Sequence, residues 1–219
     1  MNKENLMAKV NWHPWRPGDD NHPLFIDQVY IGPKKYFDTE DFSSYDFYHC
    51  PAWNSWAKNT WVFYSQLDWN VELIGGQVHV HTDHSHFNEL MGDIQVVNDE
   101  MIIQLDPLCL LWTNNKNIWL EQLPYPGLEI IPGQFKLGNW TRTLSLAFRT
   151  KHLNIKRGDP IFMVRFNGAG QNYDLSKTKP TEKIIKTAEK NLGLKKYLPG
   201  KSWELSTKET KCPFSFLWV

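Results

Sequence analysis

The sequence predicts a mainly β protein: an antiparallel β-sandwich or jelly-roll-like barrel with one α-helix in its C-terminal half. Three observations lead there. Short runs rich in β-branched and aromatic residues recur from residue 60 to residue 166, with turn-forming pairs between them, at the spacing of a sandwich or barrel. Aromatic residues make up 14% of the chain, 11 of them Trp, and large flat side chains suit a pleated, half-buried surface. Long helical patterns do not alternate with the strands, so a doubly wound parallel sheet is not expected. At 219 residues the chain reads as a single β-rich domain, 1–219.

The elements follow in order. Residues 1–22 are polar and punctuated by Pro14, Pro17 and Gly18, and read as an irregular N-terminal arm with Trp12 and Trp15 lying along a surface. PLFIDQVYIG supplies a first strand, Leu24 to Ile31. DTEDFSSYDFYHCPAWNSWAKN has neither helix nor strand spacing and reads as an aromatic connection folded back onto the core. TWVFYSQ and WNVELIG are strands, and Gly75-Gly76 turns the chain into QVHVHT. DIQVVN and EMIIQLD flank a tight turn at Asn98-Asp99, and LCLLWT and IWLEQL flank TNNKN as a hairpin. EIIPGQFKLG, TRTLSLAFRT and, after the turn KRGD, PIFMVRFN complete the strands.

The helix is expected over residues 181–192, in KPTEKIIKTAEKNLG. Pro180 stands near its first turn, Ile184, Ile185, Ala188 and Leu192 form one apolar stripe, and Gly193 sits where a C-terminal cap belongs. Its opposite face is rich in Lys and Glu, which makes it a surface helix packed on the sheets. The tail KCPFSFLWV, residues 212–219 in its apolar part, is expected to seat in a groove of its own sheet or of a neighbouring subunit.

Composition narrows the function classes. Twenty-four basic and 24 acidic residues cancel, which argues against bulk electrostatic capture of nucleic acid. No apolar run approaches the roughly 20 residues that span a bilayer, and MNKENLMAKV lacks the apolar centre of a signal peptide. Cys50, Cys109 and Cys212 are widely spaced without a CxxC pair, as reduced thiols are. The protein is therefore expected to be soluble, not secreted and not membrane-bound.

Three stretches carry a family resemblance. CPAWNSWAKNTWVFYSQLDWNVEL (50–73) resembles a CPA–K-N–(S/P)-x-D segment. EIIPGQFKLGNWTRTLSLAF (129–148) resembles a segment of the form IPGKF-x-(I/L)-G-x-W-x-R-x-(I/L)-x-(F/L)-AF. RGDPIFMVRF (157–166) resembles the strand G-(D/E)-P-x-(F/Y)-x-(V/I)-x-F that follows it. Together they are similar to a family of uncharacterised proteins carried by tailed phages of marine bacteria, itself similar to a bacterial domain of unknown function. The resemblance covers about half the chain. It implies a phage origin, a single β-rich domain, and a place in the host cytoplasm or on the virion; it brings no established activity.

The chemistry-bearing stretch is QVHVHTDHSHF, residues 77–87, with four of the chain's eight histidines. On a strand His79 and His81 point to one face, and Val78 and Val80 to the other, toward the core. Two imidazoles at i and i+2 grip a metal if further ligands arrive. His81-Thr82-Asp83 matches HxD, two-thirds of the facial triad of non-haem iron oxygenases. His81 and Asp83 would then be adjacent ligands, His152 the distal one and His79 a competing one, with Arg157 or Arg165 meeting a co-substrate carboxylate and His84 and His86 left outside. The other readings of the same stretch are a structural or adventitious metal site and a solvated hairpin.

Trp53, Trp56, Trp61 and Trp69 form either a stacking platform for sugars or bases or ordinary core packing. Arg142 is either an internal tie, over an aromatic ring or paired to Asp159, or an anion-binding group at a cavity mouth. Cys50 beside His49 does not make a nucleophile and base, because neighbours on an extended chain face opposite ways. Cys109, inside LCLLW, is a small core hydrophobe.

Three functions remain open: a non-catalytic phage accessory or virion-associated protein acting through surfaces, with a protein partner or as a homo-oligomer; a jelly-roll oxygenase using Fe(II) and 2-oxoglutarate; and a carbohydrate- or nucleotide-binding module with Trp53, Trp56, Trp69 and Arg142 at its site.

Overall fold

The computed structural model describes residues 7–18, 30–39, 42, 46–82, 86–168 and 172–207. The chain is mainly β, in four sheets. The first contains β1 (Ala8–Pro14), β8 (Cys109–Trp112), β11 (Arg142–Thr143) and β15 (Tyr173–Lys177), in the order β11-β8-β1-β15. The second runs β10-β9-β14-β3-β2, from β2 (Lys34–Lys35), β3 (Thr60–Tyr64), β9 (Trp119–Pro124), β10 (Gly133–Lys136) and β14 (Pro160–Asn167). The third is β12-β7-β6, from β6 (Met91–Val97), β7 (Glu100–Leu105) and β12 (Leu146–Thr150). The fourth is β13-β4-β5, from β4 (Trp69–Ile74), β5 (Gln77–Val80) and β13 (His152–Ile155). Among the described residues no sheet closes into a barrel, and the arrangement is sandwich-like. Among the described residues every strand pairing is antiparallel except β1 with β15.

Period-two patterning explains the core. In β7 and β13 alternate residues are buried, and Met101, Ile103, Leu105, Leu153 and Ile155 enter one apolar cluster. That cluster draws on all four sheets: Val10, Val71, Phe148 and Val164 belong to it as well. β8 is buried along its whole length because it is covered on both sides. Cys109 and Leu111 face the main cluster, while Leu110 and Trp112 face a helix in the C-terminal half.

α3 (Glu182–Tyr197) carries the expected stripe. Ala188 is fully buried, with Ile184, Ile185 and Leu192 packed beside it against Trp15, Leu110 and Trp112. Thr181 caps it, accepting a hydrogen bond from the Ile184 amide. The helix does not stop at Gly193. It runs on to Tyr197, and α4 (Pro199–Thr207) follows. The stripe set the helix face correctly, but a glycine beside open space is tolerated within a helix and does not end it.

Several expectations are corrected. The presumed irregular arm contains β1, an interior strand of its sheet, and Trp12 and Trp15 are 7% and 2% exposed rather than lying on a surface. Polar residues and prolines hid it, but Pro14 is the last residue of the strand, where a missing amide costs little. LCLLWT and IWLEQL do not form a hairpin: β8 and β9 lie in different sheets, and TNNKN crosses between them. TRTLSLAFRT is two strands, β11 and β12, again in different sheets. The aromatic connection ends in a helix, α1 (Pro51–Lys58), started by Pro51 at its first turn, with a second short helix, α2 (Phe87–Leu90), after the histidine stretch. Of the strand expected at Leu24 to Ile31, residues 24–29 lie outside the described residues, and Tyr30 and Ile31 are not in a strand. The apolar tail 212–219 also lies outside them.

Candidate functional site: a histidine–carboxylate face beside a cleft

The site begins with a two-residue turn. Gly75 and Gly76 both have positive φ, 59° and 79°, which only glycine adopts without strain and which matches the twist of a hairpin. The turn fixes the register of β4 and β5: Ile74 pairs with Gln77, Leu73 with Val78, and Glu72 with His79. On the other side of β4, β13 pairs His152 with Glu72 and Asn154 with Asn70. The outer face of this sheet therefore carries His152, Glu72 and His79 in one row. His81 lies one step along, its amide donating to the Asn70 carbonyl at 2.8 Å.

The side chains converge on the carboxylate. His152 Nε2 lies 3.3 Å from Glu72 Oε1, and His81 Nε2 lies 3.8 Å from Glu72 Oε2. The His79 and His81 rings are nearly parallel, 14° apart in plane with centroids at 6.5 Å. Glu72 is 35% exposed, His81 48% and His152 52%. Under them, the Asn70 side-chain oxygen is buried and has no hydrogen-bond partner. The backbone is held independently: Thr82 Oγ accepts from the Asn70 amide at 2.8 Å, and Thr150 Oγ accepts from the His152 amide at 3.1 Å.

His81 and His152 thus each lie beside Glu72, one at each carboxylate oxygen. Asp83 and His84 lie outside the described residues. The setting differs from a jelly-roll mouth, because these side chains stand on the open face of a three-stranded sheet. Among the described residues, no three His, Cys, Asp or Glu side chains already surround one point closely enough to hold a metal ion. Val78 packs against the core as expected, but Val80 is 44% exposed because β5 is the sheet edge. His86 faces Glu89, Nδ1 to Oε2 3.3 Å, away from this face.

A cleft opens beside His152 where β12 turns into β13. One lobe, about 450 Å³, is lined by Arg149, Lys151, His152 and Asn154 with Glu100 and Glu129. A second lobe, about 400 Å³, is apolar, with Pro124, Ile130, Ile131 and Pro132. The two share Leu128, Glu129 and Arg149, so they adjoin. Arg149 is engaged by Glu100, Nε to Oε2 2.5 Å. Lys151 and Glu129 have no ion-pair partner among the described residues.

The remaining candidates are structural. Trp69 is 2% exposed and donates from Nε1 to Ser65 Oγ at 3.0 Å, so it is core and not a platform. Trp61 is 4% exposed, with its ring against Phe166. Trp53 is half-buried in an aromatic knot, its centroid 5.1 Å from each of Phe37, Phe42 and Phe47 in edge-on contacts that occupy its ring. Trp56 is half-buried and meets Tyr36 edge-on at 5.5 Å. Arg142 is an internal tie, but neither to Asp159 nor over a ring. Its Nε donates to the Thr143 carbonyl at 2.8 Å and its Nη2 to Ser145 Oγ at 3.0 Å. Burial pushes its pKa down, and the Asp106 charge opposes that. Asp159 instead accepts from the Lys156 amide within its own turn. Arg165 pairs with Glu121, and the Arg157 amide donates to Asp68 at 2.7 Å.

Cys50 is exposed at the start of α1, whereas Cys109 is buried with its thiol pKa pushed up to about 12 by burial, an inert core position. Among the described residues no helix is long and apolar enough to cross a membrane.

Glu72 and the cleft residues Arg149 and Lys151 were not singled out from the sequence. Glu72 had a signal, since a Gly-Gly turn of two residues places it opposite His79. The approach of β13 and the cleft depends on pairings far apart in the chain. Comparison with protein-family models, with curated proteins and with solved structures finds no match to this chain.

Proposed function

We propose that the protein is a non-catalytic accessory protein that acts by binding, and that its ligand is a small amphipathic molecule held in the two-lobed cleft. One observation carries this: a polar lobe of about 450 Å³ and an apolar lobe of about 400 Å³ meet at Leu128 and Arg149. Each is within the volume of ordinary small-molecule sites, which combine apolar walls with a few placed polar groups. An apolar arm lies against Ile131, which is 44% exposed without a ligand. A charged head meets Lys151 in the polar lobe and Glu129 where the two lobes join. The resemblance to phage proteins supports an accessory or virion-associated role, with a protein partner or a second copy of the chain.

Anilinonaphthalene sulfonate, an anion with an apolar ring system, tests the cleft. The native protein is expected to bind it with a fluorescence rise. Ile131→Asp should weaken binding about tenfold or more, equivalent to about 1.4 kcal/mol. Lys151→Glu should weaken it by a smaller factor, and Glu129→Lys should strengthen it. Equal binding by the native protein and Ile131→Asp would overturn the assignment. Sedimentation velocity tests the partner part of the proposal: a monomer at high concentration removes self-association from it.

A further inference from the structure

We infer that Glu72, His81 and His152 form a binding site for a divalent transition metal ion, with zinc as the type. The inference is separate from the cleft proposal, although His152 borders both places.

The first argument is placement. The three side chains come from β4, from the residue following β5 and from β13, so strand register rather than chain proximity gathers them. The second is spacing. Zinc bonds to histidine nitrogen and carboxylate oxygen are each about 2.0–2.2 Å, so two ligands at a tetrahedral angle stand roughly 3.3 Å apart. His152 Nε2 and Glu72 Oε1 already stand at 3.3 Å. His81 Nε2 is 3.8 Å from Glu72 Oε2, beyond hydrogen-bond reach, so each carboxylate oxygen has one imidazole beside it and His81 stands close by without a bond to it. The three side chains do not yet surround one point, and closing the site takes a rotation of the His81 side chain, which is 48% exposed and stacked on His79.

The third argument is donor chemistry. Two imidazoles and one carboxylate are a borderline set that suits zinc and its first-row neighbours, whereas calcium and magnesium take oxygen ligands. Three protein ligands leave a coordination position for water. The fourth is the buried Asn70 oxygen, which has no partner and lies on the same sheet face. His79, across from Glu72 in the ladder, is the side chain that can substitute for a lost imidazole.

The test uses the full chain without a histidine tag. Zinc affinity is measured by competition with a chelating dye, and cobalt is added as a spectroscopic probe for visible bands. Native protein is expected to bind one ion of either metal. Glu72→Gln, which keeps the side chain's shape, and His81→Ala and His152→Ala should each weaken zinc roughly tenfold or more, since even groups supporting a metal's ligands are worth that much. Zinc should raise the melting temperature of the native protein and not that of Glu72→Gln. His49→Ala, which changes an exposed histidine elsewhere, should bind as the native protein does, and so should Ile131→Asp, the variant that disables the cleft. The inference is overturned if zinc produces no cobalt-competitive binding, or if Glu72→Gln, His81→Ala and His152→Ala all retain native affinity.

Discussion

Gly168→Ala is expected to destabilise the protein by about 2 to 5 kcal/mol. Two costs add. Gly168 has φ +101°, a backbone conformation in which an L side chain is strained by roughly 1–2 kcal/mol. A Cβ there would also stand 2.3 Å from the Asn117 carbonyl oxygen. That oxygen belongs to backbone, so it cannot swing aside as a side-chain end would, and overpacking of this kind costs about 1–3 kcal/mol and occasionally more. Gly138 presses on the same loop: its Cβ would lie 2.3 Å from the Asn115 carbonyl oxygen and 2.5 Å from Lys116 Cα. The two glycines thus hold the TNNKN crossing between β8 and β9. Urea denaturation should show a lower midpoint with an unchanged slope, and the melting temperature should fall roughly 4 to 20 °C for a chain of this size. Gly193→Ala is the matched control with the opposite sign. It lies within α3 facing open space, so alanine should stabilise by about 0.5–1 kcal/mol. Equal effects from the two substitutions would contradict the packing described here.

Trp69→Ala is the second large effect, expected at about 3–5 kcal/mol, the range for truncating a buried aromatic. The indole is 2% exposed, packs at 5.1 Å from Phe87 and donates to Ser65, whose own hydroxyl donates to the Leu67 carbonyl at 2.6 Å. Removing it opens a cavity and takes a donor from Ser65 at once. Equilibrium unfolding followed by far-ultraviolet circular dichroism measures the loss. A change under about 1 kcal/mol would restore Trp69 to the surface role first considered for it, because exposed positions away from special features rarely exceed that.

Trp69 shows why the sequence revealed the fold better than the site. A tryptophan in WNVELI satisfies strand propensity whether its face is wet or dry, and only the tertiary arrangement decides. Hairpins with two-residue turns were legible because their chemistry is local: Asn98 and Asp99 have φ of 51° and 59°, and Gly75-Gly76 behaves alike. The stripe on α3 was legible for the same reason. The division of TRTLSLAFRT was not, because nothing local marks the point at Leu144–Ser145 where the chain leaves one sheet for another. At the site, the sequence supplied His79 and His81 as a same-face pair and offered His152 as a distant partner. It passed over Glu72, which the glycine turn placed opposite His79. Arg142 was read as a partner of a ring or of Asp159, whereas its bonds go to Thr143 and Ser145 where the chain passes between sheets.

The pairing of β1 with β15 bears on how the molecule is made. Ala8 to Trp12 lie beside Tyr173 to Lys177, and Thr113 bonds the Lys9 carbonyl across 104 residues. A chain leaving the ribosome exposes β1 well before either of its neighbours, β8 and β15, has been made. Its ladder groups and the Trp12 ring must wait, solvated, while the hairpins of β4–β5 and β6–β7 can close as soon as they emerge. β15 therefore completes a sheet that β1 and β8 begin, a slow route set by loop closure rather than by local propensity.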